Sequence, residues 1–387
     1  MTIYMDHQAT TPTDKTVIEA MSPFWHTRFG NPHSAEHIVG WNANREIEDA
    51  KQLIAETLNC ENDEICFYSG ATEANNHAIF ALSNFSKELP ERKQVIISAI
   101  EHKCVIEATA FWAETYDLDV VILGVDEEGY VDLHELAKHL KVPTLFCSIM
   151  LVNNEVGTIQ NIEKISEMLS EQGVYLHSDC AQSMKAVDSS SICDFVDIAT
   201  FSGHKIGGPQ GIGCAYISGE LQSNFSALSF GGGQQNGLRS GTLPLPLVVG
   251  LSKAFELFSD EIEASLQRSI LANLRNKFWL DLKKKIPDAE LNGPELDNRH
   301  PGNLNVCLPG VSSSDLLMTV QPNVCASSGS ACSSGSVEPS YVISALHADF
   351  VRAQCSLRLS LDVNLTEREL LSAADSISLA YQKLKDL

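Results

Sequence analysis

Between residues 64 and 217, apolar runs of strand length alternate with stretches of helical period. EICFYS (64–69) precedes GATEANNHAIFAL, and QVIIS (94–98) precedes EHKCVIEATAFWAE. DVVILG and TLFCSIM are further apolar runs of strand length. IEKISEMLSEQG has its apolar positions at helical spacing, which predicts an amphipathic helix closed by Gly173 in the left-handed region. GVYLHSD, VDIATFS and GIGCAYIS complete the set of strands. Strands separated by helices predict an α/β fold with a mainly parallel sheet covered on both faces. GIGCAYIS follows a tight Gly/Pro loop without a helix, so one antiparallel pair is expected there.

After GTLPLPLVVG the pattern changes. Residues from about 246 to 286 read as helix, followed by short strands such as NLNVCL. CSLRLSL (355–361) alternates strictly, with Cys355, Leu357, Leu359 and Leu361 on one face and Ser356, Arg358 and Ser360 on the other. Thr366 and Glu369 have the spacing of a capping box for a last helix. These shifts divide the chain into a large domain over 15–255 and a smaller α+β domain built from 1–14 and 256–387.

Composition removes several functions. No apolar run approaches the roughly 18–20 residues that span a membrane. The opening MTIYMDHQATTPTD lacks the basic and apolar regions of a signal peptide. A formal net charge of −23 opposes direct binding to a nucleic acid backbone, which needs a basic face. Eleven cysteines without CxxC pairs indicate reduced thiols in the cytoplasm. Most, such as Cys147 and Cys214, read as small buried apolar residues.

The remaining chemistry gathers at strand ends, where open α/β sheets bind ligands. SGATEANN follows a strand and opens a helix, so Gly70, Ala71 and Thr72 either receive a phosphate group or simply cap the helix. Asp179 ends HSDCAQS, as a ligand carboxylate or a turn residue. In FSGHKIGGPQG, Ser202, His204 and Lys205 stand together. A lysine among apolar strand ends is costly to bury unless it is paired or reacts, and an unprotonated amine can form a Schiff base; a solvated loop lysine is the alternative. An anion site, a carboxylate and a lysine on successive strand ends are what pyridoxal phosphate requires.

The chain resembles the cysteine desulfurases, from the class V branch of fold-type I pyridoxal phosphate enzymes. The resemblance runs from MDHQATTP through SGATEANNHAI, EHKCVIEA, VNNEVGTIQ, HSDCAQS, FSGHKIGGPQGIG, GGGQQNGLRSGTLP and SSGSACSSGSVEPSYV to SLRLSL. It implies a large, mainly parallel seven-stranded sheet domain and a smaller α+β domain that carries a catalytic loop at about 323–338. Lys205 would attach to the aldehyde of pyridoxal 5'-phosphate. His102 would stack on its ring and assist proton transfer, Asp179 would pair with the ring nitrogen, and Gln182 would bond the phenolic oxygen. Ala71, Thr72, Ser202 and His204 would hold the phosphate, with Thr242 reaching it across a homodimer interface. Asn154 and Arg358 would bind the carboxylate of L-cysteine, a task suited to a guanidinium fork.

Cys332 sits in CASSGSACSSGSVEPS (325–340), a run too small and polar to fill a core. In the resembling family this cysteine takes sulfur from the substrate as a persulfide and carries it to an acceptor, and Ser and Gly permit the necessary travel. Cys325 in NVCA reads as a packed strand end. His7-Gln8, Gln210, Phe230 and Gln235 depart from the usual family pattern without removing a catalytic group. The long SGSAC loop points to the group that delivers sulfur directly to a scaffold protein, such as one for iron–sulfur clusters. The chain ends at KDL, without the tail that housekeeping bacterial relatives use for that docking. Rival readings are a selenocysteine lyase or aminotransferase on the same fold, and a noncatalytic scaffold protein.

Overall fold

The structure, a computed structural model, describes residues 2–329 and 339–386. A short strand β1 (Ile3–Tyr4) opens the chain. Seven strands then build the central sheet: β2 (Ile65–Tyr68), β3 (Gln94–Ser98), β4 (Asp119–Leu123), β5 (Thr144–Ser148), β6 (Tyr175–Asp179), β7 (Ile198–Ser202) and β8 (Gly213–Ile217). Their order is β2-β8-β7-β6-β5-β3-β4. From β7 to β4 every pair is parallel. β8 is antiparallel to both β7 and β2. The tight Gly/Pro loop before β8 predicts one antiparallel pair, and the sheet has two. Because β8 is reversed by its tight Gly/Pro entry, a neighbour on either side that follows the main direction must oppose it.

The sheet is covered on both faces, as the spacing of strands and helices predicts. Side chains of β2 and β8 alternate between two cores. Ile65, Phe67, Cys214 and Tyr216 face one, while Cys66, Tyr68, Ala215 and Ile217 face the other. The first core takes helices α1 (Lys15–Met21) and α2 (Ile38–Leu58), through Val17, Met21, Ile47 and Ile54. The second takes α3 (Ala71–Asn84) and α4 (Lys103–Tyr116), through Ala78, Leu82, Val105 and Ala108. The amphipathic helix Ile162–Ser170 ends three residues before Gly173, whose φ of +60° is the left-handed turn that Gly tolerates best.

The remaining strands form two small sheets. β9 (Glu290–Leu291), β10 (Asn303–Cys307) and β12 (Ser356–Ser360) are antiparallel in the order β12-β10-β9, and β11 (Val324–Cys325) pairs with β1. Their core includes Leu304, Leu357 and Leu359, packed with Phe278 and Leu282 of helix Glu261–Lys285 and Ile377 of helix Glu367–Lys385. The capping box at Thr366 and Glu369 forms in both directions. Ser356, Arg358 and Ser360, the polar face of β12, are also buried, each at 1% exposure. Instead of meeting water, Arg358 and Ser360 pack against the N-terminal segment, where the Gln8 N–H donates to Ser360 Oγ at 2.9 Å, and Ser356 Oγ accepts the Asn292 amide at 2.9 Å. Cys147 and Cys214 are buried, Cys325 is partly so, and the ten cysteines among the described residues are free thiols. Among the described residues no helix is long and apolar enough to cross a membrane.

Candidate active site

A cleft of ≈460 Å³ opens at the C-terminal edge of the sheet, and loops leaving β2, β3, β5, β6 and β7 line it. Its anion-binding end starts at α3. Gly70 is the N-cap, and no side chain caps the helix. Ala71 and Thr72 line the cleft, where first-turn N–H groups and the helix dipole favour an anion. The alternative role of Thr72 as helix cap is therefore not the one adopted. Gly213 lets β8 approach this turn: a Cβ there would press on the Phe201 carbonyl and lie 2.9 Å from the Gly70 Cα.

Ser202 ends β7, and the next turn, Gly203–Lys205, brings His204 and Lys205 into the same cleft. Burial and the neighbouring Lys205 push the His204 pKa down to about 4. The ring is thus neutral at pH 7, and its Nδ1 lies 3.0 Å from Thr10 Oγ1. Lys205 Nζ donates to the carbonyls of Gln8 and Ala9, both at 2.6 Å. Gln182 Nε2 donates to the same Gln8 carbonyl at 3.0 Å. The N-terminal segment thereby ties the lysine to the glutamine.

Asp179 at the end of β6 is buried, and both carboxylate oxygens are fixed. Oδ1 accepts the Ala181 N–H at 2.9 Å, and Oδ2 accepts the Asn75 amide at 2.7 Å. With its nitrogen so committed, Asn75 uses Oδ1 to accept from Thr200 Oγ1 (2.5 Å) and His177 Nε2 (3.1 Å). Burial holds the His177 pKa at about 4, so its ring is neutral and Nδ1 accepts from Ser148 Oγ at 2.8 Å. A chain of buried groups thus orients one carboxylate.

His102 caps α4. Its Nδ1 accepts the Cys104 N–H at 3.3 Å and lies 3.0 Å from Cys104 Sγ. An accepting Nδ1 leaves the proton of the neutral ring on Nε2. The adjacent Glu101 is fully buried, and burial raises its pKa to about 8. Its Oε1 accepts from Ser98 Oγ at 2.7 Å and from the Met150 N–H at 2.8 Å.

Arg358, on β12, enters the cleft at 1% exposure. Its Nη1 donates to the Asn154 carbonyl at 3.1 Å, and its Nη2 donates to Asp6 Oδ1 at 2.7 Å. Arg358 Nε and Asn154 Oδ1 are buried with no hydrogen-bond partner among the described residues. Orphaned polar atoms are rare in folded proteins and point here to a polar ligand.

The cleft therefore brings together Ala71, Thr72, His102, Asn154, Asp179, Gln182, Ser202, His204, Lys205 and Arg358. Thr242 is not among its lining residues and is exposed. Cys332 lies outside the described residues. Sequence reasoning assigned no role to Asp6, to the Gln8 and Ala9 carbonyls, to Asn75 or to Cys104. The DHQATTP, ATEANN and EHKC stretches contain these residues, but no spacing within them reveals a partner.

An uncapped helix end, a fixed buried carboxylate and a lysine in one cleft define the site of a fold-type I pyridoxal phosphate enzyme. The aminotransferase class-V family model matches residues 3–372. The cysteine desulfurase IscS of Rickettsia bellii is 40% identical over 385 residues, covering 100% of this chain and 92% of that protein. A solved NifS-like protein superposes with a TM-score of 0.89 at 32% identity, over 100% of both chains. A structure described as SspA in complex with cysteine gives a TM-score of 0.81 at 35% identity, covering 94% of this chain and 100% of that one. The chain belongs to the class-V aminotransferase family, in its cysteine desulfurase branch, and its cofactor is pyridoxal 5'-phosphate.

Proposed function

We propose that this protein converts L-cysteine to L-alanine and passes the sulfur, as a persulfide on Cys332, to an acceptor protein. The observation that carries this reading is the convergence of Lys205, Asp179 and His102 with the unpartnered polar atoms of Arg358 and Asn154 in one cleft. The bound cofactor supplies an electron sink for bond breaking at the substrate. Ala71, Thr72, Ser202 and His204 hold its phosphate, Asp179 its ring nitrogen, Gln182 its phenolic oxygen and Lys205 its aldehyde carbon. A neutral His204 can donate to the phosphate without altering the charge of the site. Arg358 and Asn154 orient the substrate carboxylate. His102, with its proton on Nε2, exchanges that proton beside the cofactor ring. The Cys332 thiolate attacks the substrate sulfur. The carbon–sulfur bond breaks as the sulfur–sulfur bond forms, and the proton completing the alanine methyl group balances the one lost from the thiol. No external oxidant is required.

Three further assignments accompany this one. The protein works as a homodimer in which Thr242 serves the cleft of a second copy; its exposure, and that of Phe230 at 89% in the same segment, support this arrangement. The acceptor is a protein, such as an iron–sulfur scaffold, because a net charge of −23 opposes transfer at a nucleic acid surface. The compartment is the reducing cytoplasm, consistent with the free thiols. The test measures alanine and sulfide released from L-cysteine. Cys332→Ala is expected to retain the bound cofactor and lose sulfur release, while Lys205→Ala loses the visible absorption of a covalently held cofactor. Full sulfur release by Cys332→Ala would overturn the assignment.

A further inference from the structure

Arg358 is not alone in its pocket. Its Nη2 bonds Asp6 Oδ1 at 2.7 Å, and the Asp6 carboxylate is itself only 15% exposed. The second Asp6 oxygen accepts from Ser327 Oγ at 2.8 Å. Ser327 and Arg358 also exchange both backbone hydrogen bonds, at 2.7 and 3.2 Å. Asp6 is held from the other side, where its backbone bridges that of Ser360. The carboxylate is therefore fixed at both oxygens and through its main chain. Among the described residues Arg358 Nε remains buried without a partner, and Arg358, unlike Asp6, lines the cleft.

We propose that Asp6 is a positioning residue for Arg358 and that its negative charge sets how tightly the site holds an amino-acid carboxylate. The proposal rests on the reading of Arg358 as the carboxylate site. Two effects of Asp6 oppose each other. By bonding Nη2 it fixes the plane of the guanidinium while leaving Nε uncommitted, which favours binding. Its charge also neutralises a guanidinium that would be expensive to bury alone. A ligand carboxylate arriving at the same guanidinium consequently meets a second anion already bonded to it, which weakens the grip. A site that must release alanine as readily as it captures cysteine benefits from such moderation, because tight binding of product and substrate alike does not raise turnover.

The two effects separate by substitution. Asp6→Asn keeps an acceptor for Nη2 and removes the charge, whereas Asp6→Ala removes both. The measurement is calorimetric titration of each holoenzyme with L-alanine, and with ethylamine as a probe lacking the carboxylate. Two carboxylates sharing one buried guanidinium repel enough that Asp6→Asn should bind L-alanine roughly tenfold more tightly, with unchanged ethylamine affinity. Its KM for L-cysteine should fall without a rise in kcat. Asp6→Ala should bind L-alanine more weakly than Asp6→Asn. An unchanged or weaker L-alanine affinity in Asp6→Asn overturns the proposal, as does an equal shift for both probes, which would mark a merely structural residue. Ser327→Ala serves as the second variant, since it frees one Asp6 oxygen while leaving the ion pair, and it should weaken L-alanine binding by no more than a few-fold. Arg358→Ala separates the two levels. If it leaves L-alanine binding intact, the carboxylate site itself is misassigned; if it abolishes binding while Asp6→Asn changes nothing, only the role of Asp6 falls.

Discussion

Asn75 offers the sharpest test of how the site is built. It is fully buried and joins Asp179 to Thr200 and His177. Asn75→Ala deletes the charge-assisted bond to Asp179, worth about 1.5–3 kcal/mol, and orphans a buried hydroxyl and a buried imidazole N–H at about 1–3 kcal/mol each. A water entering the new space would recover part of that, leaving a net loss of about 4 kcal/mol. Thr200→Val removes the hydroxyl that Asn75→Ala would strand. The double variant should therefore be more stable than the sum of the two single losses by about 1 kcal/mol or more. The assay is urea unfolding of the cofactor-free proteins, followed by both fluorescence and circular dichroism so that coincident transitions justify the free energies. A second readout is the dissociation constant of pyridoxal phosphate, which Asn75→Ala should raise because Asp179 loses one of its two fixed partners. Strict additivity of Asn75→Ala and Thr200→Val, within about 0.5 kcal/mol, would refute the claim that these groups form one network.

Two further predictions concern stability. Burial lifts the Glu101 carboxyl to about 8, so the folded protein keeps a proton that the unfolded chain releases near pH 4–5. Stability should fall as pH climbs from that range to about 8 and flatten beyond it. Glu101→Gln should remove this slope, which is worth up to about 4 kcal/mol, as read from unfolding midpoints at pH 5 and pH 8; an unchanged slope would place the proton elsewhere. Gly213→Ala inserts a methyl group against the Phe201 carbonyl and the Gly70 backbone. It should cost roughly 1–3 kcal/mol and weaken pyridoxal phosphate binding through the displaced α3 turn, and normal cofactor affinity in this variant would show that the turn is not the anion cradle.

The contrast between Lys205 and Asp6 shows which parts of this site a sequence can display. Lys205, Asp179 and Ser202 stand at the ends of apolar runs, and a strand of alternating or wholly apolar character announces both itself and the residue that terminates it. The parallel sheet was legible for the same reason. The second antiparallel pair was not, because β2 and β8 are separated by more than a hundred residues and nothing in ICFY names GCAYI as its neighbour. The polar face of CSLRLSL poses the same difficulty in energetic form. Period alone assigns Ser356, Arg358 and Ser360 to solvent, yet all three are buried: the N-terminal segment meets Arg358 and Ser360, and Asn292 bonds Ser356. Burying a guanidinium is tolerable only with an anion beside it, and that anion, Asp6, lies 352 residues away in sequence. Local pattern encodes the scaffold and the positions where chemistry can stand. The pairing of Asp6 with Arg358, and of Asn75 with Asp179, arises only when the folded chain brings distant segments to one sheet edge, and these pairings fix the charge and orientation on which the chemistry depends.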